Sequence, residues 1–566
     1  MTNAVRGADL IARVLDQSGH RTVFTLSGNH IMPVFDAVLG SAIRLIHTRH
    51  ETAAVHMADA FARLTGEVGI ALVTGGQGHT NAVAALTTAQ CAETPLVLLS
   101  GHAAIMELGC GAFQELAQVE LARPVTKASW MVPSADRLGH DLAEAIRIAR
   151  SGRPGPVHLS LPVDLLEAKL DDRSAIWPAS EAMEPRSLLL GPGAAAAILV
   201  AMSAARRPLI LCGPVLCTPH GRRLQADLQA ALGIPVVGME SPRGINDPCL
   251  GAFAEMLRQA DLIVLLGKPN DFTLRFCEPP HVQASATFIV IDPEAAMLER
   301  AAREHGGRIE VAALADTGSA AHSLIAASAI VEKPDGDWLA EVGAAIAYRP
   351  QQWDGHRGGQ VEAGDQSALP PEAAGAAASA RTALHPLDLC RAIQPIMARN
   401  PEAVFVCDGG EVGQWAQAGI AAKRRIINGV AGSIGSAVPF AIAARVVEPR
   451  APIIAVSGDG AFGFHMAEFD TAVRCGLPFV VVVGNDARWN AEHQIQLRDY
   501  GPARAHSCSL LPTRYDEIAR VLGGHGELVT AADQVAPALK RAIASGKPAC
   551  VNVLIEGHSA PVVRRG

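Results

Sequence analysis

The chain has 566 residues, 49% of them hydrophobic and only 18% charged, with a formal net charge of −8. That length suits about three or four domains and that composition suits large buried sheets, while the acidic balance without basic clusters argues against a nucleic-acid partner. Eleven scattered cysteines with no Cys-x-x-Cys pair read as reduced, mostly buried thiols of a cytoplasmic protein. No signal peptide is expected, because the first ten residues carry Arg6 and Asp9 and open an amphipathic helix. The uncharged stretch 426–444 is interrupted by Asn428, by glycines and serines around Ile434, and by Pro439, so no membrane span is expected.

Taken in chain order, residues 1–180 alternate strands and helices. Ser27-Gly28-Asn29-His30-Ile31 is a turn with one histidine. Residues 44–48 read as a strand and 52–64 as a helix, with Arg49-His50-Glu51 between them. A further strand, 68–73, leads into Val73-Thr74-Gly75-Gly76-Gln77-Gly78-His79-Thr80-Asn81, a glycine loop that has no lysine and so is not a P-loop. Ala112-Phe113-Gln114-Glu115 and Val125-Thr126-Lys127 follow, and 156–164 closes this first domain. Residues 190–330 form a second α/β unit with strands at 208–212, 262–266 and 288–291. Asp292, after the last of these, suits either a nucleotide ribose or a helix cap before Pro293. Residues 331–383, rich in Gly, Ala, Pro and Gln from 354 on, read as a linker. The last domain, 384–566, carries Gly432-Ser433-Ile434-Gly435 and then the most informative run of the chain.

That run is Gly458-Asp459-Gly460-Ala461 after an apolar strand at 452–456, a helical segment over 464–475, a strand at 478–483, and Asn485-Asp486. A strand–helix–strand unit of this length places both turns at the carboxyl edge of one parallel sheet, where α/β proteins bind ligands. Gly458, Gly460 and Gly463 also spell G-x-G-x-x-G, but Asp459 would then face the pyrophosphate. A carboxylate about 4 Å from a phosphate charge costs on the order of 4 kcal/mol at an effective dielectric near 20. A hard cation reverses that sign by neutralising phosphate and carboxylates together. Asp459 and Asp486 therefore point to a metal-bridged diphosphate, with two solvated aspartates at a tight turn as the alternative.

At these residues the chain resembles the thiamine diphosphate (ThDP) enzymes of the acetolactate synthase superfamily, whose signature is GDG followed at this spacing by Asn-Asn. The resemblance implies three doubly wound parallel-sheet domains: pyrimidine-binding, central and diphosphate-binding. It also implies Mg²⁺ on Asp459, on Asp486 in place of the usual Asn, and on the main-chain carbonyl of Arg488. Gly458, Gly460 and Ala461 would adjoin the cofactor. Glu51 resembles the family's glutamate, which faces N1′ of the aminopyrimidine and sets up the proton relay that activates ThDP. Without the family, it reads as an acid favoured at a helix N-terminus. Residues 73–81, Gly76 among them, are similar to the loop beside the aminopyrimidine. Ile434 resembles the apolar wedge beneath the bent cofactor.

Substrate class is less legible. Phe113, Gln114 and Lys127 match an acetolactate synthase stretch whose members reach the active site. Yet the Gly-Met-Val-x-Gln-Trp run of true synthases is replaced by Asn490-Ala491-Glu492-His493-Gln494-Ile495. His30 resembles a histidine near the thiazolium in benzaldehyde lyase, and His79 is a second candidate proton carrier near neutral pH. Gly484-Asn485-Asp486-Ala487 with Trp489 resembles the 2-hydroxyacyl-CoA lyase branch. The reading is an acetolactate synthase-like enzyme acting on a 2-oxo acid or 2-hydroxy carbonyl compound, with lyase and 2-oxo acid decarboxylase as alternatives. A small-molecule substrate and a homodimer or homotetramer are expected. FAD in the central domain stays open.

Overall fold

The computed structural model describes residues 4–171, 177–334, 336–355 and 384–565. It contains three parallel sheets flanked by helices, plus an antiparallel pair, Ala4–Arg6 with Lys169–Asp171. The described residues fall into two compact units. One comprises the chain up to Ile245, Ala254–Ala344 and Gly429–Gly432; the other comprises Asn246–Phe253, Ala345–Asn428 and the chain from Ser433 on.

The N-terminal sheet runs in the spatial order Arg44–His47, Thr22–Thr25, Gly69–Val73, Leu96–His102, Pro156–Pro162, Ala128–Met131, all parallel. The C-terminal sheet runs Arg424–Ile427, Val404–Cys407, Ile453–Gly458, Val480–Asn485, Ala549–Leu554, His525–Val529. Ranked by sequence within each sheet, both orders are 2-1-3-4-6-5, as expected if the outer domains share a fold. Their middle strands are continuous apolar runs, such as Val480-Val481-Val482-Val483, because helices cover both faces of a parallel sheet. The sheet between them in sequence runs Val236–Gly238, Pro208–Cys212, Leu262–Leu266, Thr287–Asp292, Ile309–Leu314, also parallel. Its edge strands Val236–Gly238 and Ile309–Leu314 alternate burial, as edges covered on one face do.

Local differences from the sequence reading concern turns. The glycine segment after Val73 is a turn of three residues only, since a helix begins at Gln77 and runs to Cys91. The segment 464–475 is two helices, Asp459–His465 and Glu468–Cys475. Apolar spacing continues through the break, with Phe462 and Phe469 in edge contact at 6.0 Å, so periodicity does not reveal it. Of the expected linker, 356–383 and residue 335 lie outside the described residues, while Asp337–Ala347 and Gln352–Gly355 are helical. No helix among the described residues is long and apolar enough to cross a membrane.

Candidate active site

In the N-terminal sheet the chain leaves strand Arg44–His47 through Thr48, whose hydroxyl donates to the carbonyls of Thr25 (3.2 Å) and His50 (3.0 Å). His50 caps the next helix, Glu51–Thr65, by accepting the Thr52 N–H at 3.2 Å. Glu51 thus stands as the first residue of that helix, 8% exposed. Asn81 donates its side-chain amide to Glu51 Oε2 at 3.0 Å, and Thr52 in turn donates its hydroxyl to the Asn81 carbonyl at 2.7 Å. Gly78 has to be glycine. A Cβ there would lie 2.8 Å from Thr74 Cγ2 and 3.3 Å from Glu51 Oε1. The two motifs, 30 positions apart in sequence, are therefore packed against one another around one carboxyl group.

His30 joins this group through Thr74, with Nδ1 3.2 Å from the threonine hydroxyl, and stacks at 6.1 Å on the exposed ring of Phe113. Burial, and secondarily the neighbouring His102, lower its pKa, so the ring is neutral near pH 7. Gln114 follows Phe113 with φ of +58°, a backbone conformation rare for a residue with a side chain. Gly76 donates its N–H to Gln118 Oε1 at 2.9 Å, and Gln118 also donates to the Gly101 carbonyl and to Ser160. Gln118 fixes the glycine turn, a task the sequence reading did not assign.

Two expected members lie elsewhere. His79 is fully buried, bonded through Nδ1 to Ser100 at 2.8 Å and tilted on His158 at 4.5 Å; burial pushes its pKa down to about 4. Lys127 donates to the carbonyls of Ile148 and Ser151 at the end of helix Leu138–Arg150, so it closes a helix terminus instead of joining Glu51.

In the C-terminal sheet, strands Ile453–Gly458 and Val480–Asn485 are neighbours with Gly458 opposite Gly484. That register brings the turns after both strands side by side. Asp459, 2% exposed, is the first residue of its helix, with Gly458 capping and Ala461 packed within. Oδ2 of Asp459 and Oδ2 of Asp486 are both shielded and have no hydrogen-bond donor among the described residues. Burial raises both carboxyls above the usual range, and the adjacent Asp459 carboxylate raises Asp486 further. Arg488 sits opposite Ser509, between bonds from Trp489 N–H to Cys508 (2.8 Å) and from Leu510 N–H to Ala487 (2.7 Å). Its own N–H and C=O therefore face away from segment 508–510. Two orphaned carboxylate oxygens in a set of oxygen donors fit a hard divalent cation.

Gly460 has a different reason to be glycine from the one its motif suggests. A Cβ there would meet the Trp489 ring at 2.7 Å, so the indole lies on the turn. The turn bearing Ile434 is held by Asp408, a residue missed from sequence. Asp408 accepts the N–H groups of Gly409 (2.9 Å), Gly435 (2.9 Å) and Ala437 (3.1 Å), and the Ser457 hydroxyl at 3.3 Å. His465 pairs through Nδ1 with the Gly435 carbonyl at 2.7 Å. Asp408-Gly409-Gly410 after an apolar strand repeats the pattern of the later GDG turn, and that repetition was the available signal.

Comparison with known proteins agrees with both halves. Residues 5–121 match the family described as thiamine pyrophosphate enzyme, N-terminal TPP binding domain, and residues 408–553 match its C-terminal TPP binding domain. A probable acetolactate synthase of Mycobacterium bovis is 32% identical over 97% of this chain and 95% of its own length. The 2-hydroxyacyl-CoA lyase 2 of Mus musculus is 30% identical over 98% and 90%. The catabolic acetolactate synthase of Raoultella terrigena is 29% identical over 98% and 96%. The chain belongs to the thiamine pyrophosphate enzymes, and it is a ThDP-dependent catalyst of carbon–carbon bond formation or cleavage.

Proposed function

We propose that this enzyme acts on a 2-oxo acid or a 2-hydroxy carbonyl compound, with Glu51 as the proton relay to ThDP and Mg²⁺ held by Asp459, Asp486 and the Arg488 carbonyl. The observation that carries the reading is Glu51 itself: a shielded carboxyl at a helix start, with one amide donor on Oε2 and a glycine at its Oε1. When bound, ThDP supplies the nucleophilic carbon and the electron sink for the bond that is made or broken. Glu51 would hold, at its shielded carboxyl, the proton exchanged with the cofactor's aminopyrimidine. The Thr74–Gly76 turn, fixed by Gln118, presents backbone beside it. His30, neutral near pH 7, exchanges a proton with a substrate hydroxyl or carbonyl oxygen, and Gln114 positions that oxygen. Asp459 and Asp486 bind the cation that neutralises the diphosphate, and Ile434 supports the cofactor from its Asp408-held turn. His79, fully buried, packs the sheet and takes no part in proton exchange.

Asp486, Trp489 on Gly460, and Ile495 at the synthase tryptophan position support a second reading, cleavage of a 2-hydroxy ketone or 2-hydroxyacyl thioester. Because the acid and the metal site belong to different domains, a homodimer completing each site from two chains is the smallest active assembly we expect, in the cytoplasm. The working division is 1–180, 190–330 and 384–566, each holding one parallel sheet. Products from pyruvate alone, from benzoin or acetoin, and from a 2-hydroxyacyl-CoA, each with ThDP and Mg²⁺, separate the readings. Acetolactate marks a synthase, free aldehyde from a 2-oxo acid a decarboxylase, and cleavage with pyruvate untouched a lyase. No turnover of any, with ThDP bound, would leave a cofactor-binding protein and defeat the proposal.

A further inference from the structure

The middle sheet has strand order 2-1-3-4-5, and in such sheets a nucleotide binds where the order reverses, between the carboxyl ends of the first and third strands. Those ends are Cys212-Gly213 and Leu266-Gly267. The anion position there is already filled by this chain's own Glu93. The Val215 N–H, in the turn after Gly213, donates to Glu93 Oε2 at 3.0 Å. A Cβ on Gly213 would lie 3.1 Å from both Glu93 oxygens, so the carboxylate rests on the glycine where a phosphate would approach. Arg153 closes the rest. It pairs with Glu93, donates to the Gly267 carbonyl at 3.0 Å, and pairs with Asp292 at 2.6 Å.

Asp292 therefore does two things, neither of them ribose binding. It accepts the Glu294 N–H at 2.9 Å as a turn cap, and it anchors Arg153. Lys268, another cation at this edge, is paired with Asp271 at 2.9 Å. Three cations, Arg153, Lys268 and Arg300, face five carboxylates, Glu93, Asp271, Asp292, Glu294 and Glu304, so the carboxylates outnumber the cations at this edge, against a diphosphate. A small cavity beside the third and fourth strands, between Lys268, Asp292 and Arg300, measures about 10 Å³, room for about one water. Glu93 also holds an uncommon backbone conformation, φ +55°, just after helix Gln77–Cys91. That is the left-handed position where helices ordinarily end on glycine. A strained, 6%-exposed carboxylate at a sheet's switch point is better explained by what it occupies than by the turn it sits in.

We infer that the central nucleotide crevice is occupied by the chain's own Glu93–Arg153–Asp292 cluster, and that the enzyme binds neither FAD nor another adenine nucleotide there. The residues present do not fit such a group. The test uses holoenzyme saturated with ThDP and Mg²⁺, titrated calorimetrically with FAD and with ADP, beside the visible spectrum of the purified protein. No flavin band and no saturable binding up to about 1 mM are expected. Stoichiometric flavin, or saturable binding of either nucleotide, overturns the inference. Glu93→Gly suits the positive φ and removes the carboxylate from Val215 and Arg153, so ADP should bind it at least about tenfold more tightly than wild type. An unchanged ADP response in that variant would show that Glu93 is not the occupant.

Discussion

The N-terminal and C-terminal sheets carry six strands in the same order, and each places acidic residues at turns after its strands, yet the two ends treat their carboxylates in opposite ways. Glu51 is given a donor, the Asn81 amide. Asp459 and Asp486 are placed together, and one oxygen of each has no donor among the described residues. Two shielded carboxylates facing each other repel unless a proton or a cation lies between them. On the proposed reading, one topology serves a proton relay at one end and a metal at the other, and the difference lies in the donors.

The sharpest way to break this comparison is Glu51→Gln. It keeps the shape and the Asn81 neighbour but cannot relay a proton, so turnover should fall by about 10³-fold with ThDP binding nearly intact. Unchanged turnover would remove Glu51 from the mechanism. Next in size is Asp408→Ala, which strands the N–H groups of Gly409, Gly435 and Ala437. Unfolding in denaturant should show a loss of about 3 kcal/mol or more, together with weaker ThDP binding. A loss confined to a few tenths would mean the turn is held by other contacts. Gly460→Ala drives a methyl into the Trp489 ring and should cost about 2 kcal/mol. Wild-type stability there, with unchanged Trp fluorescence, would contradict the packing described.

The two ends should also part company in acid. Burial lowers the pKa values of His79 and His158 in the N-terminal sheet, His79 to about 4, so the unfolded chain takes up their protons first. Stability contributed by the neutral rings is complete above the unfolded value near 6.5 and is lost as pH falls toward 4, at about 1.4 kcal/mol per pH unit per group at most. Asp408 in the C-terminal sheet has the opposite sign. Burial raises its pKa despite the N–H groups around it, so acid relieves it. Hydrogen exchange at pH 7 and pH 5 should show the N-terminal sheet losing protection first; the reverse order would refute the assignment. The smallest effect is that of Ile434→Ala. This side chain is half-buried, so stability should move by about 1 kcal/mol or less while the ThDP requirement rises several-fold. A ThDP titration that overlays wild type would remove the wedge role.

Most of the architecture was legible because its signals are local. Apolar runs bounded by glycine and aspartate located the strands, and the 27-residue spacing of Asp459 and Asp486 placed two acids at one sheet edge. Glu51 stood out by its place between a strand and a helix. Helix breaks such as the one after His465 were invisible, since the apolar period runs through them.

What only the tertiary structure decided is which donor meets which acceptor. Asn81 reaches Glu51 across 30 positions, Gly435 reaches Asp408 across 27, and Arg153 reaches Asp292 across 139. His79 looked like a reactive loop histidine and became a buried packing group because a helix starts at Gln77 and turns it inward. Lys127 looked like an active-site cation and instead closes a helix end. Residue type and spacing dictate where the chain turns. Whether a carboxylate at the turn is protonated, metal-bound or ion-paired depends on groups distant in sequence that supply or withhold a donor, and only the folded chain sets that.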